Sequence, residues 1–197
     1  MEEKILIIGI CGPSKSGKST LAEFLAKKYK TDRIEVDHYL KSKNKIPFKG
    51  KFRNWELPSN YRLEILAKDL KKLKEGKIIN HPVYRFRKGC IENYREIKPS
   101  KIIFVEGFYL FINKKVRDLI DIKIFLDIFK KEFLKRANFT EEREEWTKIE
   151  YAKKVIIPEY EKYGKKQKRY ADFIIKGNLT QTELIKKVER IIQKNLK

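Results

Sequence analysis

The stretch Lys4-Ile5-Leu6-Ile7-Ile8-Gly9-Ile10-Cys11-Gly12-Pro13-Ser14-Lys15-Ser16-Gly17-Lys18-Ser19-Thr20 decides how this chain is read. Its first part, Lys4–Ile10, is a short β-branched apolar run of the kind a strand buried on both faces requires. Its second part, Gly12 to Ser19, matches G-x-x-x-x-G-K-[ST], and Ser19–Lys30, with Leu21, Leu25 and Ala26 on one face, reads as the helix that follows. Strand, glycine loop and helix in that order make a phosphate cradle. Gly12 and Gly17 let the backbone turn so that N–H groups point inward, and the helix N-terminus adds positive potential. Lys18 reaches the outer phosphates, and the Ser19 hydroxyl can ligate Mg²⁺. The segment predicts an ATP-type site over Gly12, Pro13, Ser14, Lys15, Ser16, Gly17, Lys18, Ser19 and Thr20.

Outward from that segment, short β-branched runs alternate with amphipathic stretches, the pattern of a parallel sheet covered by helices. Arg33–Val36, Lys101–Val105, Ile122–Leu126 and Phe173–Ile175 read as further strands, giving an α/β fold with a five-stranded parallel core. Leu63, Leu66, Leu70 and Leu73 at helical spacing predict a helix that opens at Pro58-Ser59 and stops at Gly76. The segment 77–87, interrupted by Pro82, reads as an edge ribbon, and 41–55 as a polar, mobile loop. A short helix is expected from Asn113. The span 132–161 reads as one or two charged helices broken near Asn138-Phe139-Thr140 and ended by Pro158. Thr180 is the expected cap of a last amphipathic helix through Ile191 and Ile192.

The 197 residues carry 48 Lys+Arg against 27 Asp+Glu, a formal net charge of +21. With 41% hydrophobic and 12% aromatic residues, the chain has enough apolar material for a core, which argues against intrinsic disorder. One domain over residues 1–197 is expected. Apolar runs such as Ile5–Ile10 are far shorter than the roughly 20 residues that span a bilayer, and no signal-peptide pattern opens the chain, so a cytoplasmic protein with no membrane partner is expected. Cys11 and Cys90 are too few for a disulfide framework and, with only His38 and His81 as company, show no zinc-ligand spacing. They are expected to be reduced thiols packing as small hydrophobes. Of the 48 positive residues 37 are lysine, and Glu and Ile are abundant, a balance that resembles proteins of hyperthermophiles. The lysines spread from Lys4 to Lys197 among glutamates and form no single basic stripe, which disfavours nucleic acid as a partner. A homo-oligomer is compatible with the sequence.

A GTPase would need N-K-x-D; Asn113-Lys114-Lys115-Val116 begins that way and lacks the aspartate. Helicases and motor ATPases need longer chains with further motifs. A small kinase is the remaining class. Val36-Asp37-His38-Tyr39 then places a carboxylate at the end of the second strand, beside the phosphate loop, where open α/β sheets bind ligands. Such an aspartate can accept the proton of an attacking hydroxyl.

The ordered series GPSKSGKS, VDHY, NWELP, HPVYRF, IIFVEGFYLF, IFLD and RYADFIIKG resembles the uridine kinase and phosphoribulokinase family of P-loop kinases over nearly the whole chain. The resemblance implies a kinase of a nucleoside-like small molecule, uridine or cytidine first, with ATP and Mg²⁺. It makes Asp37 the general base, Tyr39 a neighbour of the acceptor pocket, Glu106 of VEG the partner of Ser19 at the metal, and Glu56 the acceptor of ribose hydroxyl bonds. Trp55, Tyr84 and Phe86 fall where aromatic rings flank the base. The resemblance also implies an acceptor-site insert over about 38–98 and a lid over about 130–150, where the family's arginine run is reduced to Arg136 and Arg143. Arg85 stands where the family carries an aspartate, and Gly89 where it carries a base-reading histidine. These departures open other acceptors: with Arg87 and Lys88, Arg85 would suit one bearing its own phosphate or carboxylate. Nicotinamide riboside, ribulose phosphate and pantothenate are the runners-up, and a nucleotide-dependent nucleic-acid-binding protein or a degenerate kinase are readings of other classes.

Overall fold

The computed structural model describes residues 5–128, 130–136, 148–177 and 179–195. In chain order they form β1 (Leu6–Cys11), α1 (Lys18–Lys28), β2 (Arg33–Glu35), β3 (Phe48–Lys49), β4 (Phe52–Arg53), α2 (Leu63–Lys74), β5 (Ile79–Arg85) and β6 (Cys90–Ile97). Then follow β7 (Ile102–Gly107), α3 (Lys114–Leu119), β8 (Ile122–Asp127), α4 (Lys130–Arg136), α5 (Ile149–Tyr151), α6 (Ile157–Glu159), β9 (Phe173–Lys176) and α7 (Gln181–Asn195). Five strands pair in the order β2-β7-β1-β8-β9, every pair parallel. The five-stranded parallel core read from the sequence is therefore present, accompanied by two antiparallel ribbons, β3-β4 and β5-β6.

Alternation along each central strand explains why these runs are apolar throughout. Ile7 and Cys11 of β1, Ile103 and Val105 of β7 and Phe125 of β8 pack on one face with α2 and α3. Ile8 and Ile10, Ile102 and Phe104, and Ile122, Ile124 and Leu126 pack on the other with α1 and α7. Both faces are dry, so neither parity can be polar. Thr180 and Glu183 close α7 with reciprocal bonds, Thr180 N–H to Glu183 Oε2 at 2.8 Å and Glu183 N–H to Thr180 Oγ1 at 3.3 Å. Asn113 caps α3 by accepting from the Val116 N–H at 3.2 Å.

Three expectations are corrected. Residues 41–55 are not a loose polar loop: Ile46, Phe52 and Trp55 are buried in a third apolar cluster with Tyr84, Phe133 and Tyr151. Between these anchors the Arg53 guanidinium lies 4.5 Å over the Phe48 ring and donates to the Lys43 and Ile46 carbonyls. The helix expected from Pro58 starts at Leu63, because Tyr61 is engaged in a bridge to Leu40 and Asn60 Nδ2 donates to the Asn54 carbonyl at 2.7 Å. Pro158 does not end its helix. It sits between two π-helical segments, Ala152–Ile156 and Tyr160–Gly164, whose wider turns accommodate a ring that lacks an N–H and crowds the preceding turn.

Candidate active site

Parallel strands bring every strand's carboxyl end to one edge, and the site lies there. The loop after β1 turns at Ser16, whose N–H bonds the Pro13 carbonyl at 3.2 Å, and holds Lys15 in the left-handed region at φ 63°. A Cβ on Gly12 would sit 2.6 Å from the Leu126 carbonyl oxygen, so only glycine fits the crossing of loop and β8. Gly17 precedes α1 with no side-chain cap among the described residues, which leaves the first helical N–H groups for an anion. Over them lies an open cleft of about 570 Å³ lined by Ser14, Lys15, Gly17, Lys18, Ser19, Thr20 and Arg136. Ser16 Oγ is buried beneath it without a hydrogen-bond partner among the described residues. Anion-binding backbone, a buried Lys18 and an orphaned hydroxyl fit the phosphates of a nucleotide.

Register sets what faces this loop. Glu106 of β7 pairs with Ile10 of β1 on one side and Glu35 of β2 on the other, next to the loop's origin. It is 5% exposed. Burial pushes its carboxyl above the usual range, with Asp37 acting the same way, while Lys18 and a hydrogen bond with Ser19 oppose the shift. Hard oxygens from a hydroxyl and a carboxylate suit Mg²⁺. Gly107 lets the next segment close in, since a Cβ there would lie 2.4 Å from Val36 Cβ. Val36 opens the 3₁₀ turn Val36–Tyr39, and so Asp37 is delivered to the cleft edge directly after β2.

Glu56 reaches the same place from the insert. Burial pushes its carboxyl up to about 7, reinforced by the charge of Asp37 and opposed by Lys18. Its backbone is fixed: Asn54 Oδ1 accepts from the Glu56 N–H at 3.2 Å, and the Tyr109 hydroxyl donates to the Glu56 carbonyl. Three tyrosines pack around these carboxylates. Tyr61 donates to Asp37 Oδ1 at 3.4 Å and meets the Tyr109 ring edge-on at 5.7 Å. Burial and the charges of Asp37 and Glu56 hold the Tyr61 hydroxyl well above its ordinary range, as a neutral donor. Tyr151 accepts from the Trp55 N–H at 3.2 Å. Buried Glu159 takes Lys49 at 2.7 Å and Asn54 Nδ2 at 3.0 Å, tying the insert to the helical stretch that carries it.

The structure thus gathers Lys18, Ser19, Asp37, Glu56 and Glu106 and moves other expected residues elsewhere. Tyr39 is fully buried and donates to Asp69 Oδ2 of α2 at 2.8 Å, so it supports the turn instead of lining the pocket. Trp55 and Tyr84 lie inside the third apolar cluster, with the Tyr84 hydroxyl spent on the Lys41 carbonyl at 3.2 Å. Phe86 is partly exposed and packs edge-on against Tyr84 at 5.2 Å. Arg85 turns to the surface on the face of β5 opposite Tyr84, where it and Lys88 both pair with Glu92. Arg136 stands over the phosphate cleft, bonded to Glu132 at 3.1 Å and to the Gly177 carbonyl. Arg143 lies outside the described residues. Sequence reasoning missed Tyr61, Tyr109, Tyr151 and Glu159 as site residues. Tyr109 stood in the quoted FYLF motif; Tyr151 and Glu159 carry no local signal, coming from a stretch that reads as charged helix.

A nucleotide cradle with metal-suited oxygens, facing an aspartate at the second strand end and a second buried carboxyl at Glu56, serves transfer of a phosphoryl group to a small hydroxyl compound. The class is that of P-loop kinases. Within it, the chain belongs to the phosphoribulokinase/uridine kinase family, whose model matches residues 7–183. A uridine kinase of Chlamydia pneumoniae is 30% identical over 201 residues, covering 98% of this chain and 90% of the relative. In fold, the chain is similar to a possible uridine kinase from Bacillus stearothermophilus (TM-score 0.63, 19% identical, covering 89% of this chain and 90% of that one). It is also similar to the phosphoribulokinase from Rhodobacter spheroides (TM-score 0.65, 17% identical, covering 89% and 71%).

Proposed function

We propose that this kinase transfers the γ-phosphoryl of ATP to a primary hydroxyl of a nucleoside, with uridine or cytidine the first acceptors. The observation that carries the reading is the convergence of Asp37, Glu56 and Lys18, close enough that the first raises and the last lowers the Glu56 carboxyl. Asp37 takes the proton of the attacking hydroxyl, and Glu56 accepts from the sugar's other hydroxyls. Lys18 and the loop N–H groups hold the outer phosphates and offset the charge that spreads over them during transfer. Ser19 and Glu106 would hold Mg²⁺, which neutralises phosphate charge. The apolar side chains Leu21, Leu126, Leu179, Leu184 and Ile185 line a neighbouring slot of about 280 Å³ that also contains Gly17 and Arg136, and support it as the adenine site.

The lid in this reading is carried by α4, with Arg136 closing over the phosphates to exclude water that would otherwise hydrolyse ATP, and residues 137–147 of the expected lid lie outside the described residues. The insert 38–98 supplies the acceptor side. Among the described residues no helix is long and apolar enough to cross a membrane, and Cys11, bonded to Phe108 O at 3.4 Å, is a buried free thiol; both support a cytoplasmic enzyme. Surface pairs such as Lys27–Glu23, Lys154–Glu150 and Lys165–Glu161 disperse the basic excess in the manner of a heat-adapted surface.

The test is a panel of nucleosides, vitamins and sugar phosphates with ATP and Mg²⁺, reading ADP release. Uridine or cytidine should give the highest kcat/KM. Asp37→Asn should lower kcat about 10²–10⁴-fold while leaving ATP affinity within a few-fold. Undiminished turnover by that variant would remove Asp37 from the role.

A further inference from the structure

Outside the kinase cleft, on the far side of the Asp37 turn, Glu35, His38 and His81 bring three possible ligand atoms together. His81, at the centre of β5, is fully buried, and its Nε2 lies 3.4 Å from Glu35 Oε2 without a hydrogen bond among the described residues. His38 Nδ1, also buried and unbonded among the described residues, lies 3.9 Å from the same Glu35 oxygen. All three ligand atoms fall within 4.8 Å of one another. Two atoms bound 2.0–2.1 Å from a tetrahedral zinc ion are about 3.3–3.4 Å apart, so the Glu35–His81 spacing already matches, while the His38 ring, 5.3 Å from the His81 ring and 31° from its plane, must turn to bring Nδ1 to the ion.

The surroundings assign the tautomer. His81 Nδ1 faces the Tyr39 hydroxyl at 3.4 Å, and that hydroxyl donates its own proton to Asp69 at 2.8 Å. Tyr39 can therefore only accept from His81, so Nδ1 carries a proton, and Nε2 faces the Glu35 carboxylate across a gap that is closed by a second ring proton or by a bound cation. A ligating histidine whose other ring N–H is held by an outer partner, itself held by a carboxylate, is the usual support of a zinc site. Arg33 reaches the other oxygen, Glu35 Oε1, at 3.0 Å, and Arg95 shares Oε2 at 3.3 Å. Arg95 keeps Asp32 at 2.9 Å and the Arg33 carbonyl when Oε2 is taken. Asp37 adds negative charge beside His38.

We infer that Glu35 Oε2, His38 Nδ1 and His81 Nε2 form a binding site for a divalent transition ion of the zinc class, separate from the oxygen-only Ser19–Glu106 pair. The ion joins the turn that carries Asp37 to the β5-β6 ribbon, with water as the fourth ligand. Because both histidines must be unprotonated, binding weakens as pH falls through the histidine range.

The probe is Zn²⁺ titrated against a chromophoric chelator, and Co²⁺ followed by its visible spectrum, on tag-free full-length protein stripped of metal. One equivalent should bind and remain bound in a large excess of Mg²⁺, which takes oxygen ligands. His38→Gln and His81→Gln should abolish it, and Tyr39→Phe should weaken it about 10–100-fold. If His81→Gln does not fold, as judged by circular dichroism, the partly exposed His38→Gln decides. The proposal is overturned if the wild type binds Zn²⁺ no more tightly than His38→Gln, if Mg²⁺ displaces the ion, or if Co²⁺ gives the near-ultraviolet thiolate band that would place it on Cys90.

Discussion

The donor and acceptor halves of the cleft are built by different means. The donor half is one contiguous loop whose chemistry is backbone: N–H groups, a helix terminus, and one lysine in fixed order from Gly12 to Thr20. The proposed acceptor half takes Asp37 from the turn after β2, Glu56 from the insert, Tyr61 from before α2 and Tyr109 from after β7. The first must be written locally because backbone geometry is local. The second is free to scatter, since a side chain needs only to arrive. An acceptor half built this way can change its acceptor through single substitutions without touching the donor half.

Substitutions can break or sharpen this contrast. Lys18→Met should lower kcat about 10²–10³-fold with little change in Tm, because a charge aimed at the transferring group is lost from a loop held by its backbone. ADP release and thermal unfolding check it together. On the acceptor side the signature is pH. Folding raises the Glu56 carboxyl from an ordinary 4.5 to about 7, so the native state binds the proton more tightly than the unfolded chain. Stability is then full below about 4.5 and declines as pH rises to about 7. Glu56→Gln should remove roughly 1–3 kcal/mol of that decline, seen as a flatter Tm-against-pH curve, and should raise the acceptor's KM.

Tyr39→Phe tests a residue that moved from pocket to core. It leaves Asp69 without its donor and should cost about 1–3 kcal/mol in denaturant unfolding. The smallest effect belongs to Arg85→Ala, a surface member of the Glu92 pair: stability should stay within about 0.5 kcal/mol and the acceptor's KM should be unchanged. A large rise in KM would return Arg85 to the acceptor side.

Legibility follows the same division. The central strands β1, β7 and β8 stand out in the sequence because a strand packed on both faces is apolar at nearly every position, the edge strands β2 and β9 only as short β-branched runs, and the Thr180 and Asn113 caps because their signals lie within three residues. Residues 41–55 read as a loop because their order comes from three separated anchors, Ile46, Phe52 and Trp55, meeting a partner cluster that includes Tyr151, almost a hundred residues later in the chain. Pro158 was misread because a proline's cost depends on the width of the surrounding turns. The face on which Arg85 lies was not legible because in a two-stranded ribbon the outward parity is decided by what the ribbon packs against.

By itself, the sequence determined the nucleotide cradle, the parallel core and Asp37 at a strand end, all dictated by contacts within a turn or by a strand's own burial. Tertiary structure decided which aromatics are buried in the third apolar cluster, that Glu56 comes close to Asp37 and Lys18, and that His38 meets His81. Those depend on long-range docking of the insert and ribbon, where a residue's neighbours are set by packing and not by its place in the chain.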